Sequence, residues 1–132
     1  MAAWAVLFTG TRRFDPRTWD GKPILDALDR LPRGSIVIAG AADGIDSFVA
    51  QEARKRGLHV HEVPALWNIH GKKAAGPMRN ALMVELLQVF TRHGYKTLVL
   101  AFPDLESKGT RNCIKVAKAA GFEVKGKLLG PR

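Results

Sequence analysis

Five short apolar runs, separated by stretches of helical periodicity, constrain this 132-residue chain more than any other feature. The runs are AVLFTG (5–10), IVIAGA (36–41), HVHEVPA (59–65), TLVLAFP (97–103) and FEVKG (122–126). Several are continuous Val, Ile and Leu rather than alternating, the pattern of strands covered on both faces. Between them, 22–31 puts Ile24, Leu25, Leu28 and Leu31 on one face, and 44–56 stops at Gly57. Residues 77–92 carry Met78, Leu82, Leu86, Val89 and Phe90 at helical spacing and stop before Gly94, and 110–120 stops at Gly121. Glycine just past the last helical residue is a common C-terminal signal. The order β-α-β-α-β-α-β-α-β predicts an α/β fold, a single Rossmann-like, doubly wound domain over 1–126. Its mainly parallel five-stranded sheet carries helices on both faces. Residues 127–132 are left as a basic tail, expected to be frayed or to seek a partner.

Composition narrows the function classes. A hydrophobic share of 46% fits a packed globular chain. Lys+Arg 21 against Asp+Glu 12 gives a net charge of +9, which favours acidic partners, although a solubilising surface explains it as well. The single cysteine, Cys113, excludes an internal disulfide and fits a reducing, cytoplasmic setting. No apolar run approaches the roughly 20 residues that span a bilayer, so no membrane partner is expected. The four histidines are scattered and the cysteine has no companion, so no metal is expected. The dinucleotide fingerprint GxGxxG is absent, so no nicotinamide cofactor, nor any other, is expected.

In doubly wound sheets ligands bind beyond the carboxyl ends of the strands, and every unusual loop here follows such an end. After the first run come Gly10, Thr11, Arg12 and Arg13; a hydroxyl and a guanidinium beside a glycine can take a phosphate. After the second comes GAADGID (40–46). Gly40 and Gly44 allow close backbone approach, Asp43 reads as an N-cap, and Asp46 reads as an acceptor for a ribose hydroxyl or base amine. After the third comes HGKKAAGPMRNALM (70–83), preceded by PALW (64–67). Gly76 reads as an N-cap with Pro77 at the first helical position. Arg79 would then oppose the helix dipole from the first turn, as a bound anion or the neighbouring Asp46 would permit. Trp67 reads first as a partly buried core aromatic and second as a stacking surface. His70 is a lone loop histidine. After the fourth run, Ser107, Lys108, Gly109 and Thr110 open the last helix with free N–H groups suited to a phosphate, or with Thr110 as an ordinary N-cap.

Taken together, Gly10-Thr11-Arg12, GAADGID, PALW, AGPMRNALM, Ala101-Phe102 and Gly109-Thr110 resemble the YspA-like branch of the SLOG superfamily. That superfamily also contains the Lonely Guy phosphoribohydrolases and the DprA-like proteins. The resemblance runs in order from residue 5 to about 125 and implies a Rossmann-like domain that binds a nucleotide or nucleotide-derived ligand. By likeness to the Lonely Guy enzymes, their helix arginine falls on Arg79 and their phosphate-binding Gly-Thr on Gly109-Thr110. Their PGGxGTxxE signature is only partly present. Pro103 matches its proline, the loop that follows is longer, and the catalytic glutamate falls on Cys113. A neutral thiol cannot steady a ribosyl cation as a carboxylate does. Asp46 or Asp104 would have to supply the carboxylate from another loop.

The candidate ligand-binding set is Gly10, Thr11, Arg12, Gly40, Asp43, Gly44, Asp46, Trp67, His70, Gly71, Gly76, Arg79, Asn80, Lys108, Gly109 and Thr110, with Arg79 and Asp46 as the candidates for any catalysis. Three readings follow. The first is a nucleotide-ligand sensor or sequestering module, with Arg12, Lys108, Gly109 and Thr110 on phosphate. The second is a DprA-like single-stranded DNA binder, supported by the charge and by Lys72 and Lys73, but with few aromatic platforms at 8%. The third is a hydrolase of the glycosidic bond of nucleoside monophosphates. The resemblance further implies a homodimer paired through the helix after the third strand. Leu82, Leu86, Val89 and Phe90 are expected against the sheet, with Met83 and Leu87 facing the partner.

Overall fold

A computed structural model describes residues 3–132. Strands β1 (Trp4–Gly10), β2 (Ile36–Gly40), β3 (His59–Val63), β4 (Lys96–Phe102) and β5 (Val124–Gly126) alternate with helices α1 (Lys22–Asp29), α2 (Ile45–Lys55), α3 (Trp67–Arg92) and α4 (Lys108–Ala119). The sheet has the order β3-β2-β1-β4-β5 and every pairing is parallel. This is the expected α/β, Rossmann-like arrangement. Strand β1 is central, with Leu7 opposite Ile38 on one side and Val99 on the other. The chain moves outward from β1 through β2 to β3, then crosses back to place β4 on the other side of β1. The carboxyl ends of β1 and β4 therefore form the topological switch point, where the crevice of such a sheet opens.

The continuous apolar runs are explained by the two cores. Side chains alternate across a strand, so Val6 and Phe8 of β1 pack with Ile24, Leu28, Ile45 and Val49 of α1 and α2. Ala5 and Leu7 pack on the other face with Met83, Leu87, Cys113 and Ala117 of α3 and α4. Leu7 and Phe8 are both fully buried, and truncating such a side chain costs roughly 2–5 kcal/mol.

Three expectations are corrected by the fold. First, α3 begins well before Pro77. Helical geometry runs from Trp67, interrupted at Gly71 (φ 81°, ψ 171°), which divides a short turn from a long second segment. Gly76 is therefore not an N-cap and Pro77 lies inside the helix. The proline removes one backbone bond, to the Lys73 carbonyl, and the packing of the rest of α3 outweighs that loss. Arg79 sits in the second turn after the break, not the first. Second, α3 is rotated relative to the expectation. Met83 and Leu87 are buried against the sheet, while Leu82 and Val89 are exposed and Leu86 and Phe90 pack at the edge of that core. Third, the tail is not frayed. The N–H of Lys127 donates to the Ala101 carbonyl (3.1 Å), that of Leu129 to Pro103 (2.8 Å) and that of Arg132 to Thr18 (2.9 Å). Leu129 also packs against the α1–α2 core. No helix among the described residues is long and apolar enough to cross a membrane.

Candidate functional site

Two adjoining cavities lie over the switch point. The inner one, about 250 Å³, is walled by the turn after β1, the start of α2, the middle of α3 and the loop leading into α4. The outer one, about 340 Å³, runs to Pro64, Ala65 and Trp67; Arg12, Ala42 and Arg79 line both.

The floor is an acid and a base held close but not joined. Asp46 is 6% exposed and Arg79 is 7% exposed. They meet over Gly40, where a Cβ would fall on Arg79 Nη1 and lie 2.6 Å from Asp46 Oδ2. Glycine at position 40 leaves room for both side-chain ends where they stand. Burial pushes the Asp46 carboxyl up to about 7, against the pull of Arg79, the Ala42 backbone and Arg12. Burial likewise lowers the Arg79 guanidinium from its ordinary value, opposed by Asp46. Arg79 Nε donates to Asn80 Oδ1 (2.9 Å), and its terminal nitrogens make no hydrogen bond among the described residues. No buried side-chain nitrogen or oxygen among the described residues is left without a partner, so those terminal nitrogens reach the cleft surface. Asn80 in turn donates to the Gly109 carbonyl (3.1 Å) and to Asn112 Oδ1 (3.0 Å). One amide thus fixes Arg79 and ties α3 to the start of α4.

The opposite wall is the N-terminus of α4. Ser107, not Thr110, precedes the helix, and Thr110 is buried in its first turn. The N–H groups of Gly109 and Thr110 have no acceptor among the described residues, whereas those of Lys108 and Arg111 are taken by Glu106 and Ser107. A Cβ at Gly109 would meet only open space. Lys108 and Arg12 make no ion pair among the described residues.

The cation of the first turn that looked available, Arg13, is engaged elsewhere. Its guanidinium pairs with Asp104 (2.7 Å) and Glu106 (3.0 Å). Asp104 also accepts from the Thr11 hydroxyl (2.7 Å), the Glu106 N–H (2.8 Å) and the Ser107 hydroxyl (2.8 Å). Burial works to raise this carboxyl, but those donors and Arg13 hold it well below the usual carboxylate range. Asp104 is therefore an ionised strut that shapes the rim, and Thr11 lines the cleft with its proton committed to that strut.

Of the candidate residues, Gly10, Thr11, Arg12, Asp46, Arg79, Asn80, Lys108, Gly109 and Thr110 are brought together around the inner cavity. Asp43 and Trp67 line the outer one. Asp43 does not cap α2; Gly44 stands at that position, where its φ of 77° suits glycine and a Cβ would strike the Thr11 carbonyl. Trp67 is 42% exposed rather than a core aromatic. His70, Gly71 and Gly76 lie outside both cavities, as do Lys72 and Lys73, which are exposed. Cys113 is fully buried below Arg79, its thiol pushed up by burial to about 11. The roles of Asn112 and the Asp104 strut were not read from sequence. The one local signal for the strut was Asp104 three residues before Ser107 at a helix start. No group of three or more acidic, histidine or cysteine side chains among the described residues is placed to hold a metal.

Fold and site together define a Rossmann-like α/β protein with a polar cleft at its switch point. The chain belongs to the family of the Gene 61 protein of Mycobacterium phage D29, to which it is 40% identical over 128 residues, covering 90% of this chain and 92% of that relative. No protein-family model matches the chain.

Proposed function

We propose that this chain binds a nucleotide or nucleotide-derived ligand in the switch-point cleft, as a sensor or sequestering module. The observation that carries the reading is Arg79. It is a buried guanidinium with unengaged terminal nitrogens, lining the same cavity as the residues whose free N–H groups open α4. Helix N-termini favour anions, and a guanidinium recognises phosphate through two parallel hydrogen bonds. Lys108, Gly109 and Thr110 take phosphate in this reading, and Arg79 takes phosphate or orients the ligand. Asp46 accepts from a sugar hydroxyl or a base amine. The resemblance to the YspA-like branch of the SLOG superfamily supports the same ligand class, and a cytoplasmic setting goes with it.

The test is a thermal-shift screen of the purified protein against mononucleotides, cyclic nucleotides, ADP-ribose and short single-stranded DNA, at low and moderate salt. A shift with one small ligand that persists at moderate salt is expected. A shift with DNA alone, fading as salt rises, would replace this reading with the DprA-like one, in which the net charge of +9 does the binding. No shift with any compound would remove both.

A second reading is favoured by Asp46. A carboxyl buried in a cleft with its pKa near 7 is suited to give or take a proton at neutral pH. It would donate its proton to the departing base as the N-glycosidic bond of a nucleotide breaks, while water adds at the anomeric carbon and returns a proton to the carboxylate, leaving free base and sugar phosphate. Cys113 cannot supply the missing carboxylate, being a buried neutral thiol. Free base released from a nucleotide panel, and lost in Asp46→Asn, is the expected result; no release from any member would end this reading. A homodimer is also proposed, now through Met78, Leu82 and Val89, exposed apolar side chains of the long second segment of α3.

A further inference from the structure

The outer cavity holds a contact that phosphate and sugar recognition leave unexplained. The Arg12 guanidinium lies over the Trp67 ring, 5.3 Å from the ring centroid. The indole's edge packs on α3, where a Cβ added at Gly76 would lie 3.7 Å from Trp67 Cη2. Trp67 is 42% exposed, and Pro64, Ala65, Asp43 and Arg79 are among the other walls. Arg12 makes no other side-chain contact of charge or hydrogen bond among the described residues, and it lines both cavities. A cation–π contact at an exposed site is a modest attraction that a better-stacking group can displace.

The geometry points to Trp67 as a platform for an aromatic ring of the ligand, covered in the free protein by Arg12, which leaves the indole for the ligand's anionic group when the ring stacks. This inference rests on the nucleotide reading of the cleft and specifies it. The ligand class is a planar heterocycle at one end and an anionic group at the other, with a hydrogen-bond donor between them at Asp46. Of the side chains around the outer cavity, Arg12 and Arg79 are assigned to the anionic end, and Asp43 is the one left to read a base edge, so the platform selects for a ring more than for one base. Stacking is tolerant in this way because every base presents a π-face.

Calorimetry with AMP and with ribose 5-phosphate, which shares the phosphate and sugar but lacks the ring, tests the assignment. The full chain should bind AMP more tightly. Trp67→Ala should weaken AMP by between about fivefold and about a hundredfold, the range for one base on one aromatic, and should not weaken ribose 5-phosphate, which no longer has to draw Arg12 off the indole. Trp67→Phe should retain most of the AMP affinity, which separates a stacking role from a fold defect. AMP should also quench tryptophan emission in the unaltered protein and not in Trp67→Phe. Arg12→Ala should weaken both compounds, because the displaced guanidinium ends on the phosphate both carry. Equal affinity for the two compounds, or equal weakening of both by Trp67→Ala, would overturn the platform and leave the cleft occupied. Ribose 5-phosphate binding untouched by Arg12→Ala would overturn the exchange. Binding of neither AMP, ribose 5-phosphate nor ADP-ribose would overturn the nucleotide reading and the platform with it.

Discussion

Asp46→Asn should make this protein more stable at neutral pH and leave it unchanged in acid. The carboxyl has an ordinary value of 3.8, which applies in the unfolded chain, and burial raises it to about 7 in the folded one. As pH rises through that window the unfolded chain gives up its proton first, so it binds fewer protons than the folded chain and stability falls. Below the unfolded value both states are protonated and the group costs nothing. Above the folded value both are ionised and the penalty is complete. A difference of about 3 pK units corresponds to about 4 kcal/mol. Asparagine reproduces the shape and neutrality of the protonated acid, including the missing counter-charge for Arg79. The variant should therefore match the unaltered protein near pH 4. Above about pH 8 it should exceed it by up to ~4 kcal/mol, roughly 10–15 °C in Tm for a chain of this length. Urea unfolding of both proteins, from about pH 4 to about pH 8.5, gives the difference directly, and titrations elsewhere in the chain cancel. A difference that stays flat with pH, or a variant less stable at high pH, would refute the reasoning. It would mean that Asp46 is ionised and well paired in the folded state.

Three further outcomes follow from the same geometry. Asp104→Asn should cost about 2–4 kcal/mol at neutral pH by unpairing Arg13 and misplacing the donors that converge on it. Because the Asp104 carboxyl is held below its ordinary value, that stability is present above about pH 4 and is lost as pH falls through the folded value. The gap between the two unfolding curves should narrow in acid, and a constant gap would contradict the strut. Gly40→Ala should destabilise by about 1–3 kcal/mol, because its methyl would fall on Arg79 and Asp46; full stability would show that the floor is looser than described. Leu82→Glu should remove the proposed dimer, giving the monomer mass in light scattering and a Tm that no longer rises with protein concentration, and identical masses for the two proteins would remove α3 as the interface.

The fold was legible because two signals agreed. Apolar runs without alternation require a sheet covered on both sides, and Gly57, Gly94 and Gly121 close the helices between them, each with positive φ. The start of α3 was not legible. Gly76-Pro77 is the dipeptide that opens many helices, and only tertiary packing carries the helix back past it. The facing of α3 was hidden for a different reason. Leu82, Leu86 and Val89 form one apolar row and Met83, Val84 and Leu87 another, so periodicity alone cannot choose between them. The fold buries the second row, together with Arg79 and Asn80 one turn before it. Within the site, Asp46, Arg79 and the start of α4 were readable as chemistry that gathers at strand ends. The Asp104 strut was not, since Arg13 lies 91 residues away in sequence and no local pattern announces the pair. Counting cations in loops therefore overstated the charge facing the cleft.

The chain contains one thiol, and it is sealed beneath the site. With the Cys113 pKa at about 11, only about one thiol in a thousand is thiolate near pH 8, and that fraction has no access to solvent. A thiol reagent can react only after α3 and α4 part from the sheet. Its labelling rate is thus an internal clock for the opening of that layer. Any compound that bridges Arg79 to the start of α4 must slow the clock in proportion to its occupancy. Binding to this cleft can be measured in that way with no knowledge of a reaction and no added label on the ligand.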